Sequence, residues 1–168
     1  PRWTDEYIAE NFPWAMIGKP ASRNHNIVTS LELDSAKQEQ VNLKLQAKYK
    51  VCEENEVRYE TFQVEDADIL LVAYGSSARI CQKVIELARA EGIKVGLLRP
   101  ITLWPFPTKP IHELSKKVKG ILTVEMSAGQ MVEDVRLSVG CAVPVKHYGR
   151  FGGIIPTPTE IVEAIKTF

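Results

Sequence analysis

Two glycine-containing turns hold residue types that could bind an anion. The first, Gly75-Ser76-Ser77, follows the apolar run 69–73 and precedes a helical pattern. Backbone amides at a helix N-terminus donate hydrogen bonds to phosphate or carboxylate groups, and the helix dipole favours negative charge there. The alternative is that Ser76 or Ser77 only caps the helix. Neither G-x-G-x-x-G nor a Walker A pattern is present, so the turn does not specify a ligand.

The second turn reads Glu-Met-Ser-Ala-Gly-Gln over residues 125–130. Gly129 permits close backbone approach, and Gln130 offers both donors and an acceptor. The alternative is a tight strand-to-helix turn in which Glu125 caps an amide. Because a lone glutamate without a second carboxylate or histidine at defined spacing does not indicate acid–base chemistry, we assign no catalytic residue.

Two arginines end strand patterns and precede rigid or glycine-rich loops. Arg99 and Arg150 could each clamp a carboxylate or phosphate through two hydrogen bonds. The alternative is that each pairs with a carboxylate of the chain itself. The histidines, His25, His112 and His147, lie far apart without metal-ligand spacing, so we predict no metal site and expect structural or surface roles for them.

The loop Trp104-Pro-Phe-Pro107 is apolar and inflexible. Rigid aromatic side chains lose little entropy on docking, which favours Trp104 and Phe106 as subunit contacts. The alternative is that both rings belong to the core.

Alternating strand and helix patterns must position these residues. The run 69–73 is too short for a helix and lacks alternation, which predicts a strand covered on both faces in a parallel sheet. Further strands are expected at 57–64, 94–98, 120–125 and 144–148, and helices at 36–55, 76–91, 111–118, 130–139 and 157–168. The prolines of 99–107 lack amide donors, so we expect this segment to end the strand. The pattern predicts an α/β fold, an open, mostly parallel twisted sheet with helices on both faces.

The segment 36–55 is expected to be an amphipathic helix with Val41, Leu45, Tyr49 and Cys52 on one face. Its charges oppose the helix dipole, so packing must stabilise it. Residues 1–38 lack sustained periodicity, which predicts an extended linker, and residues 39–168 form the α/β domain.

Bulk composition excludes several classes of protein. Twenty-one Lys and Arg balance twenty-one Asp and Glu, which argues against nucleic acid or an anionic membrane as a partner. No apolar run approaches the about 18 residues of a membrane span. Three widely spaced cysteines fit reduced thiols in the cytoplasm and exclude a self-contained four-cysteine iron–sulfur cluster. The start at Pro1, without a methionine or signal sequence, is expected to be a cut inside a longer chain.

The segment 68–104 resembles the C-terminal domain shared by transketolases, the β subunits of branched-chain 2-oxoacid dehydrogenases and 2-oxoacid:ferredoxin oxidoreductases. The further stretches 42–49 with 53–59, 125–131 and 148–153 favour the last of these groups. Together they resemble the α subunit of a 2-oxoacid:ferredoxin oxidoreductase of the 2-oxoisovalerate (branched-chain) type. The resemblance covers roughly residues 13–168. It implies a transketolase-C-like domain at the C-terminal end of a subunit, with residues 1–38 as a linker or remnant of an upstream thiamine-pyrimidine domain.

The resemblance also implies a function. The family enzyme decarboxylates a 2-oxoacid oxidatively, makes an acyl-CoA and reduces ferredoxin, using thiamine diphosphate, Mg²⁺ and iron–sulfur clusters. This sequence has neither the Gly-Asp-Gly…Asn diphosphate motif nor a cluster ligand set, so those cofactors are expected on other domains or subunits. The domain would then support subunit assembly and contribute to coenzyme A binding, and the isolated chain is expected to be inactive.

Two alternatives remain at this point. One is a stand-alone anion-binding or regulatory module. The other is the C-terminal domain of a transketolase or of a 2-oxoacid dehydrogenase E1 β subunit.

Overall fold

The computed structural model describes residues 3–15, 18, 24–25, 27 and 29–168. They form two compact units, Pro1–Lys44 and Leu45–Phe168, so the boundary falls inside a helix. The helices are α1 (Asp5–Asn11), α2 (Ser35–Asn55), α3 (Gly75–Ala90), α4 (Thr108–Ser115), α5 (Met131–Val139) and α6 (Pro158–Ile165). The strands are β1 (Tyr59–Phe62), β2 (Ile69–Val72), β3 (Val95–Pro100), β4 (Gly120–Glu125) and β5 (Val145–Gly149).

The first unit contains a short helix that the sequence analysis did not anticipate. Thr4 caps α1, because its hydroxyl accepts a hydrogen bond from the Tyr7 amide at 3.2 Å. The Trp3 and Phe12 rings stack with centroids 5.0 Å apart. Residues 5–11 are therefore helical rather than extended, and the assignment of 1–38 to an upstream domain stays a prediction.

The second unit is an α/β sheet with the strand order β1-β3-β2-β4-β5. Strands β2 to β5 run parallel to their neighbours, and β1 pairs with β3 antiparallel at one edge. Leu71 lies in register with Leu97 of β3 and with Leu122 of β4. The predicted open, mostly parallel sheet is confirmed.

Both faces of this sheet are covered. Side chains on successive residues of a strand point to opposite faces, and Leu70 and Leu71 accordingly belong to different core clusters. Leu71 packs with residues of α3 and α6, whereas Leu70 packs with residues of α4 and α5. Helices on both faces are thus confirmed.

The strand β3 is longer than expected, because it includes Arg99 and Pro100. Its neighbour β2 stops in register at Leu98, so beyond that point β3 pairs only with β1. The Ile101 amide donates a hydrogen bond to the carbonyl of Arg58, next to β1. Because successive backbone nitrogens of a strand point in opposite directions, the nitrogen of Pro100 points away from β1. The missing donor of Pro100 therefore breaks no ladder hydrogen bond, and the expectation that 99–107 would end the strand is wrong for its first two residues.

The helix α2 forms as expected, but none of its residues is buried. Val41, Leu45 and Tyr49 are exposed, and Cys52 is half-buried. Among the described residues, the packing that the sequence analysis required for this helix is slight, and includes the contact of the Tyr49 ring with the Trp104 ring. No helix among the described residues is long and apolar enough to cross a bilayer.

Candidate functional site

The carboxyl edge of the sheet has a topological switch point. Strands β2 and β4 are neighbours, but the connection through α3 leads from β2 to β3 on one side, and that through α5 leads from β4 to β5 on the other. Ligands of open α/β sheets bind in the crevice that such a reversal opens outside the carboxyl ends of the strands. The two turns predicted from the sequence, 75–77 and 129–130, flank this one crevice.

The turn after β2 leaves the N-terminus of α3 uncapped. The N-cap residue is Tyr74, without a side-chain hydrogen bond, so the expected capping by Ser76 or Ser77 is wrong. Gly75 has a φ of 55°, a left-handed conformation that favours glycine. The first backbone bond of the helix runs from Ala78 to Tyr74, and no acceptor among the described residues meets the amides of 75–77. These donors remain available to an anion.

The turn after β4 is closed by a buried carboxylate. Glu125 is 1% exposed, and its oxygens accept hydrogen bonds from the amides of Gln130, Met131 and Val132 at 3.0–3.1 Å. The Ser127 hydroxyl donates a fourth bond at 3.1 Å. The Glu125 carboxylate therefore caps the N-terminus of α5, as in the capping alternative. The turn residues Gly129 and Gln130 lie beside this internal carboxylate.

His147 lies behind this carboxylate. Its Nδ1 is 3.4 Å from Glu125 Oε1 and 3.3 Å from Thr123 Oγ1, while its Nε2 is buried and has no partner among the described residues. A Cβ at Gly149 would collide with Nε2 and with the Ser127 carbonyl, so glycine is required there. Sequence reasoning missed this contact, because only the β4–β5 register, which pairs His147 with Thr123, reveals it.

Both arginines pair with carboxylates of the chain. Arg99 Nη1 lies 2.8 Å from Glu60, and Arg150 Nη1 lies 2.7 Å from Glu160. The Thr157 amide and hydroxyl, followed by Arg150, hold the pKa of Glu160 below its usual range. A ligand that recruits either arginine must therefore replace an internal partner.

The two loop aromatics have different environments. Trp104 is 56% exposed and contacts the Tyr49 ring of α2 at a centroid distance of 5.5 Å, whereas Phe106 is half-buried and packs against the α4–α5 core. Beside them lies an open cavity of about 650 Å³. Its lining includes Lys50, Glu53, Trp104, Phe106 and Lys109.

No group of three or more His, Cys, Asp or Glu among the described residues could hold a metal ion. Burial raises the pKa of the Cys81 thiol to about 12, so this thiol stays protonated in the core.

Comparisons with known proteins give consistent matches. The family model described as pyruvate:ferredoxin oxidoreductase core domain II matches residues 67–161. Ketoisovalerate oxidoreductase subunit VorB of Methanothermobacter marburgensis is 48% identical over 91% of this chain, and the match covers 43% of VorB. The 2-oxoglutarate synthase subunit KorA of the same organism is 35% identical over 60% of this chain and 27% of its own length. The chain thus spans less than half the length of these relatives.

Solved structures agree with the fold. A 2-oxoglutarate:ferredoxin oxidoreductase from Magnetococcus marinus, solved with 2-oxoglutarate, coenzyme A and succinyl-CoA bound, matches with a TM-score of 0.69 and 25% identity. The match covers 81% of this chain and 24% of that one. A split-gene transketolase in an inactive beta4 tetramer matches with a TM-score of 0.57 at 20% identity, over 66% and 40% of the chains, which shows the fold alone.

Proposed function

Since this chain belongs to the family of pyruvate:ferredoxin oxidoreductase core domain II, we propose that it is the C-terminal domain of a 2-oxoacid:ferredoxin oxidoreductase subunit. The proposed substrate class is branched-chain 2-oxoacids of the 2-oxoisovalerate type. Support comes from the 48% identity to a ketoisovalerate oxidoreductase subunit, which exceeds the 35% identity to a 2-oxoglutarate synthase subunit. The holoenzyme would act in the cytoplasm with ferredoxin and coenzyme A.

Within that enzyme the domain has a binding and assembly role rather than a catalytic one. The buried carboxylate at the crevice, Glu125, is 1% exposed and accepts four hydrogen bonds, three at Oε2 and one at Oε1, so it is held within the turn and shielded from a substrate. The amides of 75–77 and the exposed Ser76 hydroxyl can bind an anion but cannot supply acid–base chemistry, whereas the Ser77 side chain is buried. Thiamine diphosphate, Mg²⁺ and the iron–sulfur clusters would belong to other domains or subunits.

The observation that carries the binding role is the contrast between two helix N-termini at one crevice. Glu125 neutralises α5, whereas the amides of α3 have no acceptor among the described residues. A phosphate group of coenzyme A is the proposed occupant of the α3 end. The crevice would then hold the phosphate end of the cofactor, while the reacting thiol reaches cofactors elsewhere in the complex.

The test uses the isolated chain and the full complex in parallel. With a 2-oxoacid, thiamine diphosphate, Mg²⁺, coenzyme A and a viologen acceptor, the complex should reduce the acceptor and the chain alone should not. Turnover by the chain alone would reject the non-catalytic role. Titration of the chain with coenzyme A and with phosphate should shift the amide NMR signals of Gly75, Ser76 and Ser77. Shifts confined to other residues, or none at millimolar ligand, would reject this site.

A further inference from the structure

Large apolar side chains are exposed in the loops at the carboxyl edge of the sheet. Seven residues, which we call the apolar rim, lie in the loops after β3, β4 and β5 and are each 43–66% exposed: Ile101, Leu103, Trp104, Met126, Phe151, Ile154 and Ile155. Because these three strands are parallel, their loops share one edge of the sheet, on both sides of the crevice. A row of this kind marks an interaction surface more often than a solvated one.

The opposite edge provides an internal control. Its loops, 63–68, 91–94, 116–119, 140–144 and 166–168, expose one large apolar side chain among those of the described residues, Phe168 at 37%. They instead carry nine charged residues: Glu65, Asp66, Asp68, Glu91, Lys94, Lys116, Lys117, Lys119 and Lys166. Between the loops of the two edges, the exposure of large apolar side chains is therefore concentrated at the carboxyl edge.

The charge at the rim defines the chemistry of its partner. The loops 101–107, 126–130 and 150–157 contain one charged residue, Arg150, whose guanidinium bonds to Glu160. The segment before β1, which bonds to Thr102 at this edge, adds Glu56 and Arg58, and these two side chains pair with each other at 3.0 Å. Arg99, at the end of β3, bonds to Glu60. An uncharged apolar row with its flanking arginines already paired matches an apolar protein surface, and it offers little attraction to an acidic or nucleic-acid partner.

We propose that the apolar rim is the docking surface for the remainder of a longer polypeptide, of which this chain is one domain. This inference rests on the proposed function. The relatives extend well beyond the region matched by this chain, which covers 43% of VorB, so more than half of such a subunit lies outside the matched domain. That remainder is long enough to form a separate domain with its own apolar face.

Docking at the rim has a consequence for the crevice. The loop after β3 lies on one side of the 75–77 turn, and the loops after β4 and β5 lie on the other. A domain that contacts all three loops covers the uncapped end of α3. An anion bound there would be enclosed between the two domains, and the amides would be shielded from water.

The experiment measures accessibility in the full-length subunit within its assembled complex. Cysteines replace Phe151 or Ile155 in a Cys141→Ser background, and Leu137→Cys on α5 and Lys119→Cys at the opposite edge serve as controls. Because Cys52 and Cys81 remain, labelling is quantified on the peptide that carries each introduced cysteine. Leu137 is 82% exposed, and the Lys119 side chain is 75% exposed. Rim cysteines should react with a maleimide at least tenfold more slowly than both controls in the native complex. After unfolding in urea all four should react at similar rates. Equal native rates would overturn the proposal.

The identity of the occupant is tested by photo-crosslinking from position 151. The expected product joins this position to a peptide of the same polypeptide outside the α/β domain. Crosslinks to a second copy of this domain, or to a different subunit, would overturn the choice of occupant. Acceptor reduction by the same complex reports on the proposed function separately, so an active complex with a freely labelled rim rejects only this inference.

Discussion

The two edges of the sheet are formed by the same core strands, but their loops differ in charge and in helix capping. At the amino edge, charged loop residues pair with neighbours, as in Lys119–Asp68 at 3.0 Å and Lys166–Glu91 at 2.8 Å. At the carboxyl edge the loops after β3, β4 and β5 carry a single charged residue, Arg150, and one helix begins without a cap. Because both edges close the same core, this difference in charge and capping is the basis for proposing the carboxyl edge as the binding edge.

The same contrast recurs within the carboxyl edge, between α5 and α3. In α5 the N-terminal amides donate hydrogen bonds to the internal carboxylate of Glu125. In α3 the cap position is held by Tyr74, which makes no side-chain hydrogen bond to the helix. An internal anion stabilises the fold, whereas amide donors without an internal acceptor cost some stability and suit the proposed anion site. The following predictions test this division.

Removing the internal anion should have the largest effect. Glu125→Ala leaves three amides and the Ser127 hydroxyl without their acceptor in a buried site, and we expect a loss of about 3–5 kcal/mol in the free energy of unfolding. Urea denaturation of the chain measures this. The control, Glu133→Ala in the exposed first turn of α5, should change stability by less than about 0.5 kcal/mol. Equal effects of both substitutions would show that Glu125 is not the cap that holds this edge.

Substitutions of Phe106 and Trp104 should distinguish a core residue from a surface residue at the carboxyl edge. Phe106→Ala should lower stability by about 2 kcal/mol, because its half-buried ring packs on the α4–α5 core. Trp104→Ala should change stability by less than about 1 kcal/mol but weaken assembly of the complex about thirtyfold, equivalent to about 2 kcal/mol. Thermal melts and a binding titration of the full subunits distinguish these effects. A large melting-temperature loss for Trp104→Ala with normal assembly would place that ring in the core.

Local patterns predicted the sheet because each element has its own signal. The apolar run 69–73 predicted β2, Gly140 ends α5 in a left-handed conformation, and Thr157 with Glu160 forms a capping box at the start of α6. Pro100 was misread for a physical reason. A residue without an amide donor is excluded from a strand only where a neighbouring strand would accept that hydrogen bond. At Pro100 the neighbour on that side, β2, has already ended.

The site was only partly visible in the sequence, because its contacts join residues far apart in the chain. Both turns were found from glycine after a strand, but their meeting at one crevice depends on β2 lying next to β4. The role of Glu125 was one of two open readings, and only the geometry of three amides around its oxygens decides it. His147 needed the strand register. The apolar rim was recognised only at Trp104, since exposure of Phe151 or Ile155 has no local signature.

Adding a charge to the open helix end should make α3 resemble α5. Ser76→Asp places a carboxylate in the exposed first turn, where the helix dipole favours it, and we expect stability to rise by about 0.5 kcal/mol. The same charge should weaken phosphate or coenzyme A binding about tenfold, an effect of about 1.4 kcal/mol. Ser76→Asn, of similar shape without charge, is the control. NMR titrations in which both variants bind as the unsubstituted chain does would remove the α3 end as the anion site.

The amino edge should give the smallest effects of all. Lys119→Ala breaks an ion pair with Asp68 whose side chains are 75% and 44% exposed. Solvent screens such a pair, so we expect a stability change within about 0.5 kcal/mol, decreasing further at high salt. The backbone bond from the Lys119 amide to the Asp68 carbonyl does not involve the side chain and is retained. Denaturation, assembly and anion titration should therefore all resemble those of the unsubstituted chain. A severalfold loss of assembly or anion affinity would show that the charged edge also binds a partner, and the assignment of binding to the carboxyl edge alone would fail.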